Sequence, residues 1–168
     1  MAFSLADLSP SSNVAVAQDH AASAQTYLAQ GDQATDDATA IDAYRRSTGQ
    51  SEIAALTSQT VTEAVAGSNP AAAGLDAATK SVAQSATTSV SDAGRTTDRI
   101  TARAAAVAGL QAANIAIGYA TQAAALPRPT SYVTVGLVGL GFVVGSAILV
   151  HVLRKHAAET ARLRSRTI

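Results

Sequence analysis

The sequence contains no cysteine and no tryptophan. Without cysteine there is neither a disulfide framework nor a thiolate metal site. Aromatic residues make up only 4% of the 168 positions, and outside the apolar run described below they reduce to Phe3, Tyr27, Tyr44 and Tyr119. Residues 1–127 therefore cannot fill a wide core of the ordinary kind. They can form slender helices that pack closely through alanine faces, or that gain partners from neighbouring copies. Signals for β-strands are nearly absent, since the only valine-rich run lies near the carboxyl end. The amino terminus, MAFSLADLSPSSN, lacks both a basic n-region and an apolar h-region. No cleavable signal peptide is expected there, and insertion into a membrane would depend on a later segment.

That later segment is Tyr132–Leu153, YVTVGLVGLGFVVGSAILVHVL, with ionisable groups only at Tyr132 and His151. As a helix it would be about 33 Å long, which matches a hydrocarbon core of about 30 Å. It is bounded by Pro127 and Pro129 on one side and by Arg154 and Lys155 on the other, and it reads as a transmembrane helix. Residues 127–131 then form a stiff, proline-constrained linker, and residues 154–168 form a basic tail.

The formal net charge is +0, but it is unevenly distributed. Residues 1–127 carry eleven acids and six bases, a balance of −5, whereas the tail sets Arg154, Lys155, Arg162, Arg164 and Arg166 against Glu159 for +4. The positive-inside rule puts this tail on the cytoplasmic or genome side. The same bases suit anionic lipid headgroups or nucleic-acid phosphates. Within the run, Gly136, Gly139, Gly141, Gly145 and Ser146 offer small positions through which membrane helices pack, and Gly141 and Gly145 have small-xxx-small spacing.

The fold class expected for residues 1–126 is all-α, with about five helices punctuated by glycine. Val14, Ala17, Ala21, Ala24 and Leu28 form an apolar seam on the first, which Gly31 ends. Asp32 caps a second, carrying Ala34, Ala38, Ile41 and Tyr44, which ends near Gly49. A third opens at Ser51, with Ile53, Leu56, Thr60 and Ala64 on one face and Val61 and Val65 beside it, and closes at Gly67. Asn69-Pro70 starts a fourth, carrying Leu75, Val82, Ala86 and Val90 and ending at Gly94. Five Ser or Thr residues between 85 and 91 weaken its last part. The fifth runs from about Thr97 to Ala125, with a seam of Ile100, Val107, Leu110, Ile117 and Thr121 in line with Asn114, a residue able to set register in a coiled coil.

No residue pattern suggests an enzyme, a metal site or a bound cofactor. His151 and His156 are five apart and do not stack on one helical face. Asp42 with Arg45 and Arg46 has the spacing of a solvated ion pair, as does Asp98 with Arg95. Neither a GxSxG elbow nor a phosphate loop occurs.

The order of parts (acidic helical region, glycine-containing span Tyr132–Leu153, then Arg154, Lys155, Arg162, Arg164 and Arg166) resembles filamentous phage coat proteins. In those proteins the basic end faces the packaged DNA. The resemblance covers about the last quarter of the chain and is one of plan, without a shared motif; the amino-terminal region here is much longer than in such coats. It implies a membrane-associated structural protein of a bacteriophage virion, or an ejection protein. Its expected partners are a lipid bilayer, sister copies or other virion proteins, and nucleic acid at the tail. A pore or DNA-translocation component would need a polar stripe along the span, where only Thr134, Ser146 and His151 are available. A cellular single-pass adaptor would need a pocket that the amino-terminal region is poorly equipped to form.

Overall fold

The computed structural model describes residues 9–127. Among these residues the chain is all-helical, with no strand: α1 (Pro10–Gln33), α2 (Asp37–Ala66), a 3-10 turn (Pro70–Ala72), α3 (Ala73–Arg95) and α4 (Arg99–Ala125). The run Tyr132–Leu153 and the basic tail lie outside the described residues.

Four long helices stand where five are expected, because α2 continues through Gly49 and Ser51. A mid-helix glycine costs about 1 kcal/mol relative to alanine, which a long helix packed against its neighbours absorbs. Gly31 and Gly94 likewise sit inside α1 and α3, one to two residues before their ends. The start signals shift accordingly. Asp32 belongs to the last turn of α1, and α2 is capped by Asp36, whose Oδ1 accepts the Thr39 N–H at 2.8 Å. Ser9 caps α1 by accepting from the Ser12 N–H, with Pro10 at the first helical position. Asn69-Pro70 does open the next element, with Asn69 Oδ1 accepting from the Ala71 N–H at 3.0 Å. Asp98, expected as an ion-pair partner, caps α4 by accepting from both the N–H and the hydroxyl of Thr101, at 2.7 and 2.6 Å.

Successive helices run antiparallel through short turns. α2 and α4 lie along each other through the middle of the bundle. α1 packs mainly on α2 and less on α4, and α3 packs on α4 and α2. Of the twenty-four buried apolar residues among those described, nineteen are alanine, so the core is made by close backbone approach rather than by large side chains. One cluster joins Val14, Ala17 and Ala21 of α1 to Ala54 and Val61 of α2 and to Ala113, Ile117 and Ala120 of α4. Another joins Ala55 of α2 to Ala83 and Ala86 of α3 and to Ala112 and Ala116 of α4.

Serine and threonine serve the same purpose as alanine. Buried Ser51, Ser58, Thr79 and Ser89 each donate their hydroxyl to the carbonyl one turn earlier in their own helix, at 2.7 to 3.1 Å. A hydroxyl satisfied in this way needs nothing from the facing helix and acts as a small spacer. The same bonding carries α3 through its Ser/Thr-rich stretch, which remains helical to Arg95. Ser47 is different: its hydroxyl crosses to the Ala24 carbonyl of α1 at 2.8 Å.

Candidate functional site: the two faces of α4 and the clasp at its start

α4 joins the two halves of the bundle. Its inward positions are small: Ala102, Ala105, Ala106, Gly109, Ala112, Ala113, Ala116, Ala120 and Ala123 are buried, with Ile117 the one larger residue among them. At Gly109 three helices meet. A Cβ placed there would lie 3.3 Å from Ser89 Cβ of α3 and 3.5 Å from Ser51 Cβ of α2. Such spacing is what the alanine-rich composition makes possible.

At its amino end α4 is held by charge. Arg103 Nε and Nη2 donate to the two carboxylate oxygens of Asp32, at 2.7 and 3.1 Å. The Tyr44 hydroxyl, from α2, donates to the same Asp32 at 2.8 Å, and its ring lies against Gly31, where any Cβ would clash. Arg99 Nη2 donates to the carbonyls of Gly31 and Ala34, at 3.1 and 2.9 Å, closing the carboxyl end of α1. Arg45 does the same for α3. Its guanidinium donates to the carbonyls of Ala93, Gly94 and Thr96, at 3.1, 3.4 and 3.0 Å. Guanidinium groups at helix carboxyl ends satisfy free carbonyls and oppose the negative end of the helix dipole. The neighbouring Arg46 forms the solvated pair with Asp42 expected from the spacing, at 2.8 Å.

Titration follows this geometry. The Arg103 guanidinium holds the Asp32 carboxyl below its ordinary range, with the Tyr44 hydroxyl adding to the effect. Burial, and then the adjacent Asp32, push the Tyr44 phenol up. Cap hydrogen bonds lower Asp36 and Asp98. On the opposite half of the bundle, Glu63 and Asp76 raise Lys80.

The residues singled out from the sequence fall in two groups. Gly136, Gly139, Gly141, Gly145 and Ser146, together with Arg154, Lys155, Arg162, Arg164 and Arg166, lie outside the described residues. The α4 seam is described and is corrected. Ile117 is buried, but Val107 and Leu110 are only half-buried, Asn114 is exposed, and Ile100 is 79% exposed. The same displacement occurs on α2, where Ile53 and Leu56 are exposed. On α4 the packed face is formed by alanine and Gly109 with Ile117, and on α2 by alanine, serine and threonine together with Ile41, Tyr44 and Val61. The clasp escaped sequence reading because Asp32 and Arg103 are 71 positions apart, with no periodic link between them.

Among the described residues no group of three or more His, Asp or Glu side chains could hold a metal ion. His20 is engaged with Gln50 Oε1 at 2.7 Å. A shallow, open groove between the end of α3 and the start of α4 is lined by Asp92, Arg95, Thr96 and Thr101. It brings hydroxyls near a carboxylate and a guanidinium, but includes no imidazole or amine to act as a base. Among the described residues, α4 is also the helix long and apolar enough to cross a membrane, although 44% of its most apolar stretch is buried inside the bundle.

Comparison of the chain with protein-family models, with curated proteins and with solved structures finds no match.

Proposed function

We propose that this protein is a single-pass membrane structural protein of a virion, in which the helical bundle belongs to a protein layer and Tyr132–Leu153 fixes that layer to a lipid bilayer. The observation that carries the reading is the predominantly apolar run itself, 22 residues long, without Asp, Glu, Lys or Arg, and beginning five residues after Pro127. Two features support it. The segments flanking the run carry opposite charge, −5 over residues 1–127 and +4 over the tail, as expected of parts held on opposite sides of a membrane. In addition, Asn69 Nδ2 donates to the Pro127 carbonyl at 3.1 Å, so the bundle keeps its order up to the linker.

On this reading the chain resides in a virion membrane or host inner membrane, with its carboxyl terminus on the cytoplasmic or genome side. The glycine-containing face of the span, at Gly136, Gly139, Gly141, Gly145 and Ser146, packs against another span. The tail bases contact lipid headgroups or packaged nucleic acid. No catalytic role is assigned. Alkaline carbonate extraction of membranes from expressing cells tests the anchor. The full chain is expected in the pellet, and its release intact into the supernatant would overturn the reading. For the tail, DNA retention should fall steeply with salt and on replacing Arg162, Arg164 and Arg166.

A further inference from the structure

The outer face of α4 carries a second seam that the bundle leaves uncovered. Starting from Ile100, alternating steps of four and three residues run to Ala125, along about 38 Å of helix. One set of positions holds Ile100, Val107, Asn114 and Thr121, seven residues apart, and the other holds Ala104, Gln111, Gly118 and Ala125. All eight are exposed except Val107, which is half-buried, and a Cβ placed on Gly118 meets nothing within 4 Å. No charged residue occurs anywhere from Ala104 to Pro127, so this face of a solvent-exposed helix is without charge for six turns. An amphipathic helix packed on one side ordinarily carries charge on the other.

We infer that this face is an interface between two copies of the chain, paired antiparallel through α4. The occupant is identified by the order of sizes along the seam. Reversing the stripe against itself about the point midway between Gln111 and Asn114 sets Ile100 opposite Ala125, Val107 opposite Gly118, and Thr121 opposite Ala104. Each branched residue meets a small one, the arrangement that lets two helix backbones approach closely. At the centre Gln111 of each copy meets Asn114 of the other, and the two symmetric amide contacts fix register. A parallel pair would instead set Ile100 on Ile100 and Gly118 on Gly118, leaving the small positions as gaps. An uncharged stripe also places no like charges together in a symmetric pair, so a second copy is tolerated without a complementary partner. One helix pair is small beside the roughly 800 Å² per partner of a standard interface, so association in dilute solution is weak. If the chain is anchored as proposed above, confinement to a bilayer raises the effective concentration. The pairing itself does not depend on that anchor.

The chain has no cysteine, so thiol cross-linking reads the register directly. Full-length Val107→Cys and Gly118→Cys variants, each with a different tag, are co-expressed and treated with a short bifunctional thiol reagent in isolated membranes and in mild detergent. The expected result is a cross-link between the two variants several-fold above that of either variant expressed alone. Adding Gly118→Leu to the Val107→Cys chain should remove the cross-link while circular dichroism stays unchanged, because the space above Gly118 is open in the single chain. Stronger self-linking of each single variant would overturn the antiparallel pair. Absence of any cross-link in both media would overturn the second copy. Shielding of both thiols from a charged reagent in membranes, without cross-linking, would assign the face to lipid instead. Carbonate extraction run beside these samples separates failure of the pairing from failure of the anchor.

Discussion

Replacing glycine by alanine at three positions should have three different outcomes, set by the space that the structure leaves around each. The chemical change is the same throughout, and each glycine lies within a helix, where alanine is favoured by about 1 kcal/mol. At Gly49, on the outer face of α2, the new methyl meets nothing within 4 Å, so the helical gain stands alone and the variant should be about 1 kcal/mol more stable. At Gly109 the methyl would come 3.3 Å from Ser89 Cβ and 3.5 Å from Ser51 Cβ, so small shifts of three helices cancel the gain and the net change should be near zero. At Gly31 the methyl would fall within 2.6 Å of Tyr44 Cδ1. The ring cannot swing aside, since Tyr44 is 1% exposed and its hydroxyl is bound to Asp32. Overpacking of this kind costs about 1–3 kcal/mol, so after the helical gain of about 1 kcal/mol Gly31→Ala should lose up to about 2 kcal/mol. Thermal unfolding followed at 222 nm should therefore separate Gly49→Ala from Gly31→Ala by on the order of 10 °C. A Gly31→Ala protein that melts at or above Gly49→Ala would refute the placement of Tyr44 against α1.

Adjacent arginines should behave unequally: Arg45→Ala removes the cap from the α3 carboxyl end and should cost about 1–2 kcal/mol in chemical denaturation, whereas Arg46→Ala breaks only a solvated pair and should cost less than about 0.5. Stability should also fall in acid. Asp32, Asp36 and Asp98 have folded pKa values below their unfolded values, so their contribution is complete above about pH 4 and is lost as pH drops further through the folded values. The gap between the wild-type and Asp32→Asn unfolding midpoints should accordingly narrow below pH 4; a gap that stays constant from pH 7 to pH 2 would contradict the Asp32–Arg103 clasp.

The sequence showed helical content and the packed face of α1, because Val14, Ala17, Ala21, Ala24 and Leu28 keep an unbroken period; the first four are buried and Leu28 is half-buried. On α2 it picked out Ile41 and Tyr44, which are buried, but the face through Ile53 and Leu56 and most of the α4 seam were misplaced for a single physical reason. With alanine on every side of a helix, hydrophobicity alone does not mark one face, and the branched residues Ile53, Leu56 and Ile100 drew the choice to the outside. Glycine misled in a similar way. Gly49 looks like a helix end, yet none of the described residues has positive φ, and a helix held by tertiary packing runs straight through it. The arginine caps were hidden because each joins elements tens of residues apart, and nothing local distinguishes Arg45 from Arg46.

By length and composition α4 and the sequence run Tyr132–Leu153 are each apolar enough to cross a bilayer, and on the proposed reading the membrane holds the second alone. Charge insertion separates them, since an arginine near the middle of a membrane helix costs on the order of 3 kcal/mol for insertion. Membrane flotation of the full chain should be abolished by the double change Val138→Arg/Val144→Arg and left intact by Gln111→Arg on the exposed face of α4. Flotation that survives the double change, or that is lost with Gln111→Arg, would show that the bilayer holds this protein elsewhere.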